Sequence, residues 1–175
     1  MFPFSAHSVL AAFTRIRHRR DYRRFLSDCK LRNSDLSKAT INLRNYAHLR
    51  VGSDVVVNDA FLDTNGPIEI ENFVFFGWQV KVLTGSHDYA KLDRERQFAI
   101  ISRPVRIRQG AWICSYAILL PGCEIGEHSV VSAGSVVRGI VRPFSIVAGN
   151  PARQVGDVKP QLPGPNHDTS DLLPR

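Results

Sequence analysis

The sequence contains no run of about 18 apolar residues, so no segment is long enough to span a bilayer as a helix. Its three cysteines, Cys29, Cys114 and Cys123, are an odd number with no CxxC pair. That argues against a disulfide framework or a zinc ribbon and fits isolated thiols in a reducing compartment. Neither a GxxxxGK phosphate loop nor a GxGxxG dinucleotide turn occurs. Residues 1–12 are mildly apolar, but basic residues follow them instead of preceding them, the wrong order for a secretory leader. A cytoplasmic protein is the expectation.

The chain has 175 residues, 43% of them apolar and 22% charged, an ordinary composition for one domain with a real core. Its net charge of +7 is uneven. Residues 1–50 hold 11 Lys/Arg against 3 Asp, whereas residues 51–175 hold 12 against 13 acidic residues. The excess centres on Arg15, Arg17, Arg19, Arg20, Arg23 and Arg24. Such a cluster suits an anionic membrane surface or glycolipid, a solvated helix face, or a subunit contact. No nucleic-acid partner is expected.

Three zones follow. Residues 1–40 form a basic N-terminal segment, predicted helical over about 5–30 from the spacing of Leu10, Phe13, Ile16, Phe25 and Leu26. Residues 41–156 are rich in Val, Ile and Gly and carry the fold. Residues 157–175 hold Pro160, Pro163, Pro165 and Pro174, the composition of a loose tail.

The middle zone repeats. Every sixth residue from Ile107 is aliphatic: Ile107, Ile113, Leu119, Ile125, Val131 and Val137. Four positions further in each hexad the residue is small: Ala111, Ala117, Cys123, Ser129 and Ser135. Ile70, Phe76 and Val82 keep the same period upstream; Val51 and Val57 fit it too, but Asp63 breaks the count. Neither a 3.6-residue helix nor an alternating strand holds such a period. A chain that runs a short strand, turns and repeats does, and three units close a triangular coil of about eighteen residues. The aliphatics then stack inward, the small residues sit at the corners, and stability comes from neighbouring coils. Gly110, Gly122, Gly126 and Gly134 fall near turns, where positive φ costs glycine little.

After Val82 the phase is lost and resumes only at Ile107. Between them lie Gly85-Ser86-His87-Asp88-Tyr89 and a polar stretch, so residues of about 85–104 must be extruded as a loop from a coil that stays in register.

Thr84-Gly85-Ser86-His87-Asp88-Tyr89, the hexads of 105–137 and the ending Val147-Ala148-Gly149-Asn150-Pro151-Ala152-Arg153 together resemble the hexapeptide-repeat acyltransferases. Within them the chain is most similar to the sugar O-acetyltransferase branch, with its maltose, galactoside and exopolysaccharide enzymes. The resemblance covers roughly residues 51–156. It implies an all-β fold, a left-handed parallel β-helix, assembled as a homotrimer with active sites between subunits. It also implies acetyl-CoA as co-substrate, a saccharide or glycolipid acceptor, and a place in surface polysaccharide synthesis.

The family's catalytic histidine corresponds to His87. Imidazole suits the role, because an ordinary pKa of about 6.5 leaves a neutral base at pH 7. Its second nitrogen needs an acceptor, a backbone carbonyl or a carboxylate such as Asp88. Asn58 is similar to an asparagine that orients the acceptor sugar, although its neighbours depart from the pattern; Asp63 and Asn65 are further acceptor-side candidates, or turn residues. Coenzyme A contacts carry over onto Ser115, Ala133, Gly134, Arg138 and Arg153. Arg142 adds a further cation for the phosphates, and Trp112 either lines the cleft or packs. Where relatives have Thr-Lys-Asp after the last repeat, this chain has Arg138-Gly139-Ile140. No metal is expected: the related γ-class carbonic anhydrases hold zinc with three histidines, and only His87 and His128 lie in the repeats here. Two alternatives stay open, N-acylation of an amino sugar or amino acid and a non-catalytic trimerisation module. Basic residues within 1–35 make peripheral membrane contact a further expectation.

Overall fold

The computed structural model describes residues 23–29, 32–36, 38–41 and 46–161. Most of the expected N-terminal helix and most of the expected tail lie outside them; residues 23–29 are helical. No described helix is long and apolar enough to cross a membrane.

The body is a parallel β-helix with three faces, each named here for one inward residue. The Ile107 face stacks Leu49–Val51, Ile68–Ile70, Val105–Ile107, Glu124–Ile125 and Ile140–Val141. The Ile113 face stacks Phe75–Phe76, Trp112–Ile113, Val130–Val131 and Ser145–Gly149, closed by the antiparallel strand Ala152–Asp157. The Leu119 face stacks Thr40–Ile41, Phe61–Leu62, Lys81–Val82, Ile118–Leu119 and Val136–Val137. Pairing puts Ile107 on Ile125, Ile113 on Val131 and Leu119 on Val137, a step of 18 residues per coil. Six-residue periodicity is therefore the period of one face.

Burial follows the phase. Ile107, Ile113, Leu119, Ile125 and Val131 are fully buried, as are Ala111, Ala117, Ser129 and Ser135 at the corners. Each such aliphatic contributes roughly 1.5–3 kcal/mol by leaving water. Size is limited at the corners because successive coils touch there. At Gly126 a Cβ would lie 2.4 Å from the Pro143 nitrogen and 2.6 Å from the Arg142 carbonyl carbon. Gly126 is thus required by close approach and not, as its place near a turn suggested, by positive φ; Gly110, Gly122 and Gly134 do have positive φ.

The faces differ outside. The Ile107 face carries a charge ladder: Arg106 reaches Glu69 at 3.3 Å and Glu124 at 3.9 Å, and Arg50 reaches Glu69 at 3.8 Å. These pairs are solvated and stabilise little. Along the Ile113 face the outward column is apolar, running Val56, Phe75, Trp112, Val130 and Ile146 in register. Phe75 and Trp112 stack at 5.3 Å while remaining more than two-fifths exposed.

Asp63 broke the hexad count because Leu62 takes the inward position, five residues after Val57. The corner that follows, residues 63–66, holds more residues than the later ones and lies beneath the extruded loop.

Candidate active site

The loop leaves from the edge between the Leu119 and Ile107 faces. Ile70 pairs with Ile107, so this coil consumes 37 residues where the next consumes 18. The extra length makes an arm: strand Gly85–His87 pairs antiparallel with Ile100–Ser102, and between them sit a turn and a six-residue helix, Asp93–Phe98. The helix suits its sequence, Asp-Arg-Glu-Arg-Gln-Phe, with Asp93 and Glu95 in the first turn and Arg96 in the last.

The root of the arm is bolted to the corner below. Thr84 is fully buried, and its hydroxyl accepts a bond from the Gly66 N–H at 2.8 Å and donates to the Asp63 carbonyl. The Asp63 carboxylate accepts from the Gly85 N–H at 2.8 Å and the Thr84 N–H at 3.2 Å. It also accepts from the Asn65 side chain at 2.6 Å and the Asn65 N–H at 3.2 Å. Burial of Asp63, 5% exposed, works against its ionisation, but these donors together outweigh burial and hold the carboxyl below its ordinary range. Both oxygens are thus engaged by the chain itself.

His87 is exposed at the far end of the hairpin. Its Nδ1 lies 2.9 Å from the Arg96 carbonyl oxygen. A carbonyl can only accept, so Nδ1 must carry the proton and donate. In the neutral ring Nε2 then carries the lone pair. Of the two kinds of acceptor expected for this nitrogen, the backbone carbonyl is the one observed; the Asp88 carboxylate instead accepts from the Ala90 N–H at 3.0 Å. Nothing in the pattern of residues marks Arg96 beyond its place in a run of helix formers.

The donor-side candidates gather elsewhere. Ser115, Ala133 and Gly134 occupy successive turns on the edge between the Ile113 and Leu119 faces. The Ser115 hydroxyl accepts from the Trp78 N–H at 3.0 Å, and the Ser115 carbonyl accepts from the Gly134 N–H at 3.0 Å. Above them the Gly149 N–H donates to the Ser135 hydroxyl at 3.2 Å, and Arg153, exposed, lies in the hairpin that follows. Around Gly134 the edge is open, with nothing within 4 Å of where a Cβ would stand. Exposed Trp78 and Tyr116 border the same edge. Asn58 belongs here too, its amide donating to the Phe76 carbonyl at 2.7 Å. Asp63, Asn65, His87 and Arg138 share the other edge. Within one chain, His87 and the donor-side candidates Ser115, Ala133 and Gly134 therefore stand on different edges with the Leu119 face between them, whereas Arg138 shares the edge of His87.

Burial raises all three thiols, Cys123 to about 12, so none supplies a thiolate nucleophile near neutral pH. Among the described residues no group of three or more His, Cys, Asp or Glu side chains is placed to hold a metal.

Residues 104–139 match the family described as bacterial transferase hexapeptide (six repeats). A provisionally named acetyltransferase of Schizosaccharomyces pombe is 34% identical over 104 residues, which are 58% of this chain and 48% of that one. One of Staphylococcus aureus strain COL is 32% identical over 117 residues, 66% of this chain and 58% of that one. Among solved structures, a maltose O-acetyltransferase from Clostridium difficile 630 superposes with a TM-score of 0.63 at 28% identity, covering 69% of this chain and 64% of that one. A hexapeptide-repeat-containing acetyltransferase of Vibrio cholerae, solved with acetyl coenzyme A, gives 0.59 at 33% identity, covering 65% and 62%. Residues 104–139 thus carry the hexapeptide repeat of that family, and the chain is similar to hexapeptide-repeat acetyltransferases over about two thirds of its length. It spans about half the length of the curated relatives it matches.

Proposed function

We propose that the protein is an acetyl-CoA-dependent O-acetyltransferase acting on a saccharide hydroxyl, with His87 as general base. The observation that carries this reading is the bond from His87 Nδ1 to the Arg96 carbonyl. It fixes the tautomer a general base needs, on an arm held out from a rigid prism. In the reaction, Nε2 takes the proton of the acceptor hydroxyl as its oxygen attacks the thioester carbonyl. The tetrahedral intermediate then collapses, the C–S bond breaks, and the imidazolium returns the proton to the departing thiolate, leaving ester and free coenzyme A.

The acyl donor runs along the open edge at Ser115, Ala133 and Gly134, whose exposed backbone suits the amides of a pantetheine chain. Arg153 and, from the edge that carries His87, Arg138 supply cations for its phosphates. The Vibrio cholerae relative solved with acetyl coenzyme A supports this choice of donor. The Clostridium difficile maltose O-acetyltransferase supports a saccharide acceptor, which Asn58 and Asn65 help to orient. Asp63 acts from beneath, by anchoring the arm.

The active unit is a homotrimer. Base and donor residues on different edges of one chain make a complete site where two copies meet. The apolar column Val56–Phe75–Trp112–Val130–Ile146 is the face suited to burial between them. Surface polysaccharide synthesis, with the basic segment of residues 1–35 holding the enzyme near an anionic membrane, completes the reading.

A thermal-shift titration with acetyl-CoA and CoA tests the donor, since a ligand that binds only the folded state must raise its stability. Saturable stabilisation by both is expected. No shift at millimolar ligand would leave the β-helix as a trimerisation module. Parallel assays of CoA release with hydroxyl and amino acceptors separate O- from N-acylation.

A further inference from the structure

The lobe at the tip of the arm has no core. Residues 89–98 are all exposed, and the helix Asp93–Phe98 buries nothing. Yet this lobe carries the carbonyl that sets the His87 tautomer. A coreless lobe must be held by polar contacts, and the strongest of them converge on one residue. The Arg96 guanidinium donates from Nε to the Lys91 carbonyl at 2.7 Å and from Nη2 to the Tyr89 carbonyl at 3.2 Å. The Arg96 N–H donates to the Leu92 carbonyl at 3.2 Å, and the Arg96 carbonyl receives His87 Nδ1 at 2.9 Å. The other side-chain tie between the turn and the helix, Lys91 to Glu95 at 3.4 Å, is an exposed ion pair of small worth.

We infer that Arg96 is a positioning residue for His87: its guanidinium clamps the turn 89–91 onto the helix, and that clamp holds its own carbonyl against Nδ1. The two ends of Arg96 thus couple the shape of the lobe to the tautomer of the imidazole. Arginine suits the task because its planar fork reaches two carbonyls at once, which a lysine ammonium on a flexible stem does not reproduce. The inference rests on the reading of His87 as the base, but the clamp is a property of the arm whether or not turnover follows.

The test reads the two separately. The full chain is labelled with ¹⁵N-histidine, and the side-chain ¹⁵N shifts of its six histidines are recorded, with His87→Ala assigning the His87 signals. In the wild type, His87 shows the pattern of a neutral ring protonated at Nδ1. In Arg96→Ala that pattern gives way to the Nε2–H form that predominates in free imidazoles. Turnover falls about tenfold with the KM for acetyl-CoA within twofold, since loss of the correct tautomer lowers kcat without touching the donor edge. Arg96→Lys falls between the two. An unchanged tautomer in Arg96→Ala overturns the inference. Loss of the folded β-helix in both variants, read by circular dichroism, overturns it as well, because Arg96 is then structural. A shifted tautomer with unaltered turnover leaves the clamp standing and removes His87 from the chemistry.

Discussion

Replacing Asp63 with asparagine probes how the arm is rooted. The carboxylate divides its work: Oδ1 serves the Asn65 N–H and side chain, and Oδ2 serves the Thr84 and Gly85 N–H groups. An asparagine amide has one oxygen. Its least costly pose keeps that oxygen on Thr84 and Gly85 and turns the NH₂ toward Asn65, whose own amide flips to accept. The Asn65 backbone N–H is then left facing a donor, and the charge that strengthened the other bonds is gone. One poorly paired, half-buried donor and the weakening of charge-assisted bonds amount to about 1–3 kcal/mol. The pH dependence follows from the lowered carboxyl pKa of Asp63. A group whose folded pKa is depressed contributes stability above its unfolded value, about 3.9 for aspartate, and loses it as pH falls through the folded value. Urea midpoints of wild type and Asp63→Asn, followed by circular dichroism from pH 7 down to 3, should differ by a constant amount near neutrality and converge at the acid end. Equal stability at pH 7, or a gap that ignores pH, refutes the anchoring role. Unaltered stability with impaired acceptor KM would move Asp63 to the acceptor instead.

Ile107→Ala, at a fully buried stacking position, should lower the unfolding free energy by roughly 2–5 kcal/mol in the same urea assay. Trp112→Glu places a charge in the middle of the outward apolar column; light scattering coupled to gel filtration should show the assembly dissociating toward monomer, and an unchanged mass would take the Ile113 face out of the interface. Gly134→Val combines a β-branched side chain with a φ of +69° and closes the open edge, so the acetyl-CoA thermal shift should fall by more than the loss of intrinsic stability accounts for. Liposome flotation on anionic vesicles should recover the full chain and lose it when residues 1–35 are removed; equal, negligible binding ends the membrane reading.

Much of the fold was legible because a solenoid writes its geometry as a period. Ile107 through Val137 fill one stack after another, and the small residues fall at corners where the next coil is in contact. The extruded arm was legible for the same reason, as a gap that a register-bound coil cannot absorb. Three things escaped the pattern. Asp63 looked like an error in the count, because the turn before it is one residue short and Leu62, five residues after Val57, takes the inward place. The helix Asp93–Phe98 is too short, and too exposed on every side, to show an apolar stripe. Turn conformation is written only partly by glycine: Gln79, Tyr116, His128 and Phe144 also take positive φ, imposed by the closing coil and not by local preference. For the site, the residue type and loop of His87 could be named, but its acceptor could not. A backbone carbonyl nine residues away leaves no mark on the sequence.

The central question is whether an imidazole at position 87 removes a proton from a hydroxyl beside a bound thioester. CoA release from acetyl-CoA with a panel of saccharide acceptors, measured for wild type and His87→Ala, asks this directly when each protein is first shown by thermal shift to bind the donor. The prediction is a variant that binds acetyl-CoA as the wild type does and turns over about 10²–10⁴-fold more slowly. A His87→Ala protein that binds equally and turns over at the wild-type rate would contradict it.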